Sequence, residues 1–355
     1  MDNGIIPISG KIRKDLTDCL PDCIIKKKWK KGDYMIFSKQ IEKIYRSKLF
    51  SRCDDVGVAH YFSAEDFPGL RSQAFSFPAK AGHKLQGWFY GYDNTISGRL
   101  VVFDHGMGGG HRSYMREIER IARAGYLVFA YDHTGCMESG GESTGGFAQS
   151  LNDLDACLTA LKKLESIRTR TISVVGHSWG AFSTMNIAAI HPDVAHVVAM
   201  SGFVSVKDMV DQNFSGILKG YRKQLYALER SANPDYVGYH AAKSLAETDA
   251  QVLLIYSVDD PLVKKEVHYD ALHRALSDRK NIRFLLVDGK HHNPNYTQDA
   301  VQYLEQYTKD LTGQLKKLQL GTVEERQSFL ETYDWWRMTE QDESVWQVIL
   351  ETLAK

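Results

Sequence analysis

The chain has 355 residues, 43% of them hydrophobic, enough for a buried core in one large or two ordinary domains. Lysine plus arginine and aspartate plus glutamate number 44 each, so the formal charge is zero, which argues against a broad electrostatic nucleic-acid surface. No apolar run approaches the roughly 18 residues of a membrane span, and five cysteines, an odd number, do not resemble a disulfide framework. The first ten residues lack the basic start and long apolar centre of a secretory signal, so a cytoplasmic location is the expectation. In that setting the sequons at Asn213 and Asn295 carry no information.

Residues 1–68 form a lead segment without strand alternation. Its clearest feature is a helical face formed by Met35, Phe37, Ile41, Ile44, Tyr45 and Leu49. The lysine run Lys26–Lys31 ahead of it reads as a solvated, charged linker rather than a membrane, nucleic-acid or targeting patch. Cys19 and Cys23 have the wrong spacing for a redox pair, and no second pair completes a zinc site.

From about Leu70 the texture changes. Ala74–Phe77 and Lys84–Tyr90 predict an antiparallel hairpin. Leu100–Phe103, Tyr126–Tyr131, Ile172–Val175, Ala195–Met200, Gln251–Tyr256 and Ile282–Val287 follow as short strands, apolar on both faces. Helical stretches such as Leu151–Leu164 lie between most of them. That alternation predicts a mainly parallel sheet covered by helices.

In such a sheet function collects at the carboxyl ends of the strands. After Phe103 comes a glycine-rich loop, Asp104–Gly110, in which the Met107 amide is a candidate oxyanion donor. It lacks the Gly-Lys-Ser/Thr ending of a phosphate loop and the spacing of a dinucleotide fingerprint. After Val175 comes Gly176-His-Ser178-Trp-Gly180, a strand–turn–helix pattern in which the flanking glycines relieve the crowding around an outward-pointing serine. The Trp179 amide, at the following helix start, is the second oxyanion candidate. Gly141-Glu-Ser143-Thr-Gly145 matches the same motif but has neither a strand before it nor a helix after it, so it reads as a loop. Tyr256 is followed by Asp259 and Asp260, and Val287 by His291 and His292. Serine, aspartate and histidine therefore occur in that order at three strand ends, the set needed for nucleophilic acyl transfer.

Taken together, these motifs resemble the α/β-hydrolase superfamily over roughly residues 70–312, closest in texture to its serine aminopeptidase-like and lysophospholipase-like branch. The resemblance implies an α/β fold with a mainly parallel sheet, a small helical cap and extra terminal helical segments. It implies Ser178 as nucleophile, His105-Gly-Met-Gly108 as the oxyanion loop, and Asp132 with Ser139 in the aspartate–glycine–serine loop. Family spacing selects Asp260, three residues before Val263, over Asp259, and His292 over His291. His105, Gly106 and His177 are expected to contact substrate, while Trp179 shapes the pocket wall. Two departures stand out: Ser257 where glycine is frequent, and His133 where arginine is usual. Neither removes a catalytic group.

The implied division is residues 1–68 as a helical lead packing on the core, 69–202 and 251–320 as the hydrolase core, 203–250 as the cap, and 321–355 as a C-terminal helical extension. Aromatics in the cap (Phe203, Phe214, Tyr221, Tyr226, Tyr236, Tyr239) suit either an acyl or aromatic substrate or simply the cap's own packing. In the extension, Val345, Trp346, Ile349, Leu350 and Leu353 form a stripe that packs on the body; a homodimer contact is the alternative. The expected activity is hydrolysis of a small or medium carboxylic ester, with small-molecule substrate as the partner and no metal or other cofactor. A serine peptidase and a non-enzymatic binding protein on the same fold are the competing readings.

Overall fold

The computed structural model describes residues 31–96 and 98–355, with side chains described from residue 38 onward. Cys19, Cys23, Lys26–Lys30 and the side chains of Lys31, Met35 and Phe37 lie outside the described residues.

Eight strands form one sheet in the order β1-β2-β4-β3-β5-β6-β7-β8. They are β1 (Arg71–Pro78), β2 (Lys84–Gly91), β3 (Arg99–Asp104), β4 (Leu127–Tyr131), β5 (Thr171–His177), β6 (His196–Met200), β7 (Gln251–Ser257) and β8 (Ile282–Val287). The β1–β2 hairpin and the β2–β4 pairing are antiparallel, and every pairing from β4 to β8 is parallel.

Strand residues are apolar on both sides because helices cover both faces. Val102, Val174, Val197, Ala199, Val252 and Leu254 belong to one buried cluster, which also holds residues of α3 (Gln149–Leu161) and α4 (Trp179–Ile187). Their immediate neighbours Val101, Val175, Val198, Leu253 and Ile255 belong to the other, with α2 (Met115–Arg123). A period of two thus sorts each strand between two cores.

The lead segment forms α1 (Lys31–Leu49), whose Ile41, Tyr45 and Leu49 are buried. It packs on the segment between β6 and β7, which folds as α5 (Val206–Asn213), a 3-10 turn, α6 (Arg222–Ala232) and α7 (Ala241–Ala246). Tyr45 donates its hydroxyl to buried Glu229 at 2.7 Å and sits 5.8 Å from the Phe214 ring. Beyond β7 lie α8 (Tyr269–Leu276), then α9 (Gln298–Lys316), α10 (Val323–Leu330), one turn at Trp335–Met338, and α11 (Glu343–Ala354).

Asp342 starts α11 by accepting from the amides of Ser344 and Val345. The stripe expected on this helix is used inside the chain: Val345, Trp346, Ile349 and Leu353 are buried against the second sheet face, each worth roughly 1.5–3 kcal/mol. Leu350 is only half-buried. The surface that offered a dimer contact is therefore largely covered by the chain's own sheet.

Candidate active site

β5 ends at His177 and α4 begins at Trp179, leaving Ser178 at φ 56°, ψ −112°. A non-glycine residue there stores on the order of 1–3 kcal/mol of strain. The surroundings enforce it: the Ser178 amide donates to the Met200 carbonyl at 2.8 Å, and a Cβ on Gly180 would collide with the Asp104 and His105 carbonyls. On Gly176 it would strike Thr184 and the Gly180 carbonyl.

The loops after β7 and β8 meet this serine. Ser178 Oγ donates to His292 Nε2 at 2.8 Å, and His292 Nδ1 donates to Asp260 Oδ2 at 2.8 Å. Asp260 Oδ1 accepts from the amides of Leu262 and Val263 at 2.8 and 2.9 Å, so the carboxylate is held from both ends. Burial pushes its pKa up, but His292 and those two amides outweigh burial and hold it below the usual carboxylate value. The neighbouring pair takes a different course. His291 (φ 46°) places Nδ1 3.0 Å from Asp259 Oδ2 and Nε2 3.2 Å from Glu305, away from the serine hydroxyl.

Met107 and Trp179 both line the cavity beside Ser178, and their amides have no acceptor among the described residues. The Trp179 amide also lies at the positive end of the α4 dipole. Its indole is buried and donates Nε1–H to the Phe147 carbonyl at 2.7 Å, fixing one wall.

Of His105, Gly106 and His177, His177 lines the cavity, whereas the other two do not. His105 is fully buried below the loop: Nδ1–H donates to the Gly106 carbonyl at 2.7 Å, and Nε2 accepts the His133 amide at 2.9 Å. Burial and then His133 hold its pKa to about 3. Burial disfavours a charge on His133 too, but Asp104 and Asp153 outweigh it and raise that imidazole to about 9. The histidine in the usual arginine position thus lies between two buried carboxylates, 2.8 Å from Asp104 and 3.3 Å from Asp153. Gly106 is buried as well; its amide donates to Tyr114 Oη at 3.1 Å. His177 alone of the three borders the cavity. Ser143 sits in an irregular loop, its hydroxyl accepting from the Gly145 amide at 3.3 Å.

The cavity measures about 730 Å³. Of the aromatics named in residues 203–250, only Phe203 borders it; Phe214 and Tyr236 are buried in packing. Much of the remaining lining comes from one face of α9, where apolar Val301 and Leu304 and the threonines Thr308 and Thr312 alternate with charged Glu305, Lys309 and Lys316. Thr308 and Thr312 donate their hydroxyls back to the helix carbonyls of Leu304 and Thr308. Sequence reasoning missed this wall, along with Tyr114 and Phe147. The spacing of Val301, Leu304 and Thr308 was a visible helical signal, yet it is the same signal an ordinary core-facing helix gives.

Residues just ahead of α11 hold the loop that follows β8. Lys290 is buried and donates Nζ to the Tyr296 carbonyl at 2.5 Å and to Asp342 Oδ2 at 2.6 Å. The Asp342 amide donates to the Asn295 carbonyl at 2.8 Å, and Tyr296 bridges to Gln341. Asn295 Nδ2 donates to Glu117 and Gln341, which leaves that sequon buried. The loop carrying His292 is thereby tied to the start of α11. Among the described residues, no group of three His, Cys, Asp or Glu side chains is arranged to hold a metal ion, and no helix is long and apolar enough to cross a membrane.

The chain belongs to the alpha/beta hydrolase fold family, whose model matches residues 99–336. The strand order, the strained serine and the three loops that meet there are the features that place it in that class. Among curated proteins it is similar to the uncharacterized protein YfhR of Escherichia coli K12, 22% identical over 247 residues, covering 66% of this chain and 80% of that one. An epoxide hydrolase of Caballeronia sordidicola is 32% identical over 100 residues, 27% of this chain and 29% of that one. The fold resembles that of the Pyrococcus furiosus esterase Pf2001, with a TM-score of 0.54 and 21% identity, covering 76% of this chain and 98% of that one.

Proposed function

We propose that the protein is a serine hydrolase that cleaves a carboxylic ester with a small or medium acyl or aromatic group through an acyl-enzyme. The observation that carries this reading is the unbroken hydrogen-bonded line from Ser178 Oγ through His292 to Asp260, with 2.8 Å at each step. His292 takes the Ser178 proton as the oxygen attacks the ester carbonyl. Asp260 keeps the imidazole in the Nδ1–H tautomer and stabilises the imidazolium. The Met107 and Trp179 amides receive the oxyanion, and the tetrahedral intermediate collapses as His292 returns the proton to the leaving alcohol. Water then repeats the path on the acyl-enzyme and frees the acid.

Phe147, Phe203 and Leu262 line the cavity with Ser178 and suit an apolar acyl or aromatic group, while Glu305, Lys309 and Lys316 of α9 also line it and are the groups a charged peptide terminus would need. The same reading takes residues 203–250 as the cap and 321–355 as a support for the base loop. It places the protein in the cytoplasm, in keeping with the free thiols of Cys53, Cys136 and Cys157.

Fluorophosphonate labelling combined with panels of p-nitrophenyl esters and aminoacyl anilides tests the proposal. Labelling at Ser178 with ester turnover supports it. Anilide turnover without ester turnover would make the protein a peptidase. No label and no turnover would favour a binding protein.

A further inference from the structure

The oxyanion loop and the base loop lie on opposite sides of Ser178, and a catalytic serine needs both in register. A continuous polar chain joins them. The Gly106 amide, one residue before Met107, donates to Tyr114 Oη at 3.1 Å. Tyr114 Oη–H is 2.8 Å from His177 Nδ1, and His177 Nε2 is 2.7 Å from the His292 carbonyl. Only one proton arrangement satisfies every link. A carbonyl can only accept, so Nε2 must carry the His177 proton, and Nδ1 must accept from tyrosine. Tyr114 Oη then accepts from Gly106 and donates to His177, using both of its roles.

This arrangement leaves His177 no ring nitrogen to offer a substrate, because both are engaged. It also explains why the ring sits 4.8 Å from the His292 ring without competing with it for protons: a neutral imidazole adds no charge beside the base. Burial and then His292 hold the His177 pKa to about 3. The space is closed to alternatives on the loop side, since a Cβ on Gly106 would collide with Tyr114 Oη. The Tyr114 ring itself is braced by Phe103, 5.3 Å away between centroids.

We propose that Tyr114 and His177 are positioning residues that clamp the oxyanion loop to the backbone of His292 and so set the distance between the oxyanion donors and the base. The proposal rests on the hydrolase reading above for its effect on turnover, and on the hydrogen-bond chain for its geometry. Misplacement of about 1 Å at such a site costs on the order of 100-fold.

Tyr114→Phe removes the hydroxyl and keeps the ring on Phe103. The expected result is a kcat for p-nitrophenyl butyrate lower by about 10- to 100-fold with KM changed less than about threefold. Inhibition by phenylboronic acid, whose tetrahedral adduct needs the same oxyanion donors, should weaken in parallel. His177→Gln, which keeps a donor and an acceptor, should retain more activity than His177→Leu. If the leucine variant does not fold, the phenylalanine variant remains decisive. A Tyr114→Phe enzyme with wild-type kcat, or one whose loss falls entirely in KM, overturns the clamp.

Nitrogen-15 histidine spectra separate this failure from failure of the hydrolase reading. A wild type inert to esters sinks that reading, yet the clamp still requires His177 as the Nε2–H tautomer, with its Nδ1 resonance moved by Tyr114→Phe. A His177 in the Nδ1–H tautomer would overturn the clamp whatever the activity.

Discussion

Two Asp–His pairs stand one residue apart in this molecule, and only one of them addresses the serine. Asp260 and His292 have side-chain exposures of 0% and 15%; Asp259 and His291 have 29% and 34%. Asp260 is fixed by two backbone amides and His292 points at Ser178, whereas Asp259 binds Ser257 and the amide of His291, and His291 turns to Glu305. Identical side chains thus take different positions through burial and backbone direction. His291, at φ 46°, borders the same cavity but turns its ring to Asp259 and Glu305 instead of Ser178.

The largest test of that contrast is to remove the serine or the inner base. Ser178→Ala or His292→Ala should reduce kcat for p-nitrophenyl butyrate on the order of 10⁴- to 10⁶-fold. Asp260→Asn should cost on the order of 10³- to 10⁴-fold by disturbing the histidine tautomer, while Asp259→Asn stays within about threefold. A comparable loss in both asparagine variants would erase the distinction between the pairs.

A smaller effect is expected where the C-terminal extension meets the base loop. Lys290→Met removes both links to Tyr296 and Asp342, and kcat should fall several-fold with a lower melting temperature. Lys290 then Ser344 outweigh the effect of burial and hold the Asp342 carboxyl to about 2. A depressed acid contributes stability above the unfolded carboxylate range and loses it as pH falls toward that value. The melting-temperature gap between Asp342→Asn and wild type should therefore narrow as pH drops from 5 toward 2.

The smallest effect concerns Glu229, on α6, which faces Tyr45 of α1. Burial raises its pKa to about 7, outweighing the hydrogen bonds from Tyr45 and from the Phe147 amide. For an acid raised on folding, stability falls as pH climbs from the unfolded value near 4.3 to about 7 and is level above. Glu229→Gln should accordingly raise the melting temperature at pH 8 more than at pH 5, measured by differential scanning fluorimetry.

The strands were legible because alternating clusters on two sheet faces demand short runs apolar on both sides, as in Leu100–Phe103 and Ile172–Val175. The order of serine, acid and base loops was legible because each follows a strand end. What the sequence hid was side-chain direction. Nothing in Asp259-Asp260 or His291-His292 says which member turns inward; only the family spacing favoured Asp260 and His292. His105 and Gly106 follow a strand end as any site residue would, yet the ring is held below the loop by Gly106 and His133. Tyr114 lies eight residues past Gly106, and no motif marks it as a partner of His177. The α9 wall was hidden for a different reason: a helix face lining a cavity and one packed in a core share one period.

Ser178 is expected to act with His292 and not with His291. The most direct test of this is steady-state hydrolysis of p-nitrophenyl butyrate by wild type, His292→Ala and His291→Ala, each checked for folding by circular dichroism. The expected result is turnover by the wild type, near-complete loss in His292→Ala, and activity within about threefold of wild type in His291→Ala. Equal losses in the two variants, or full activity without His292, would contradict it.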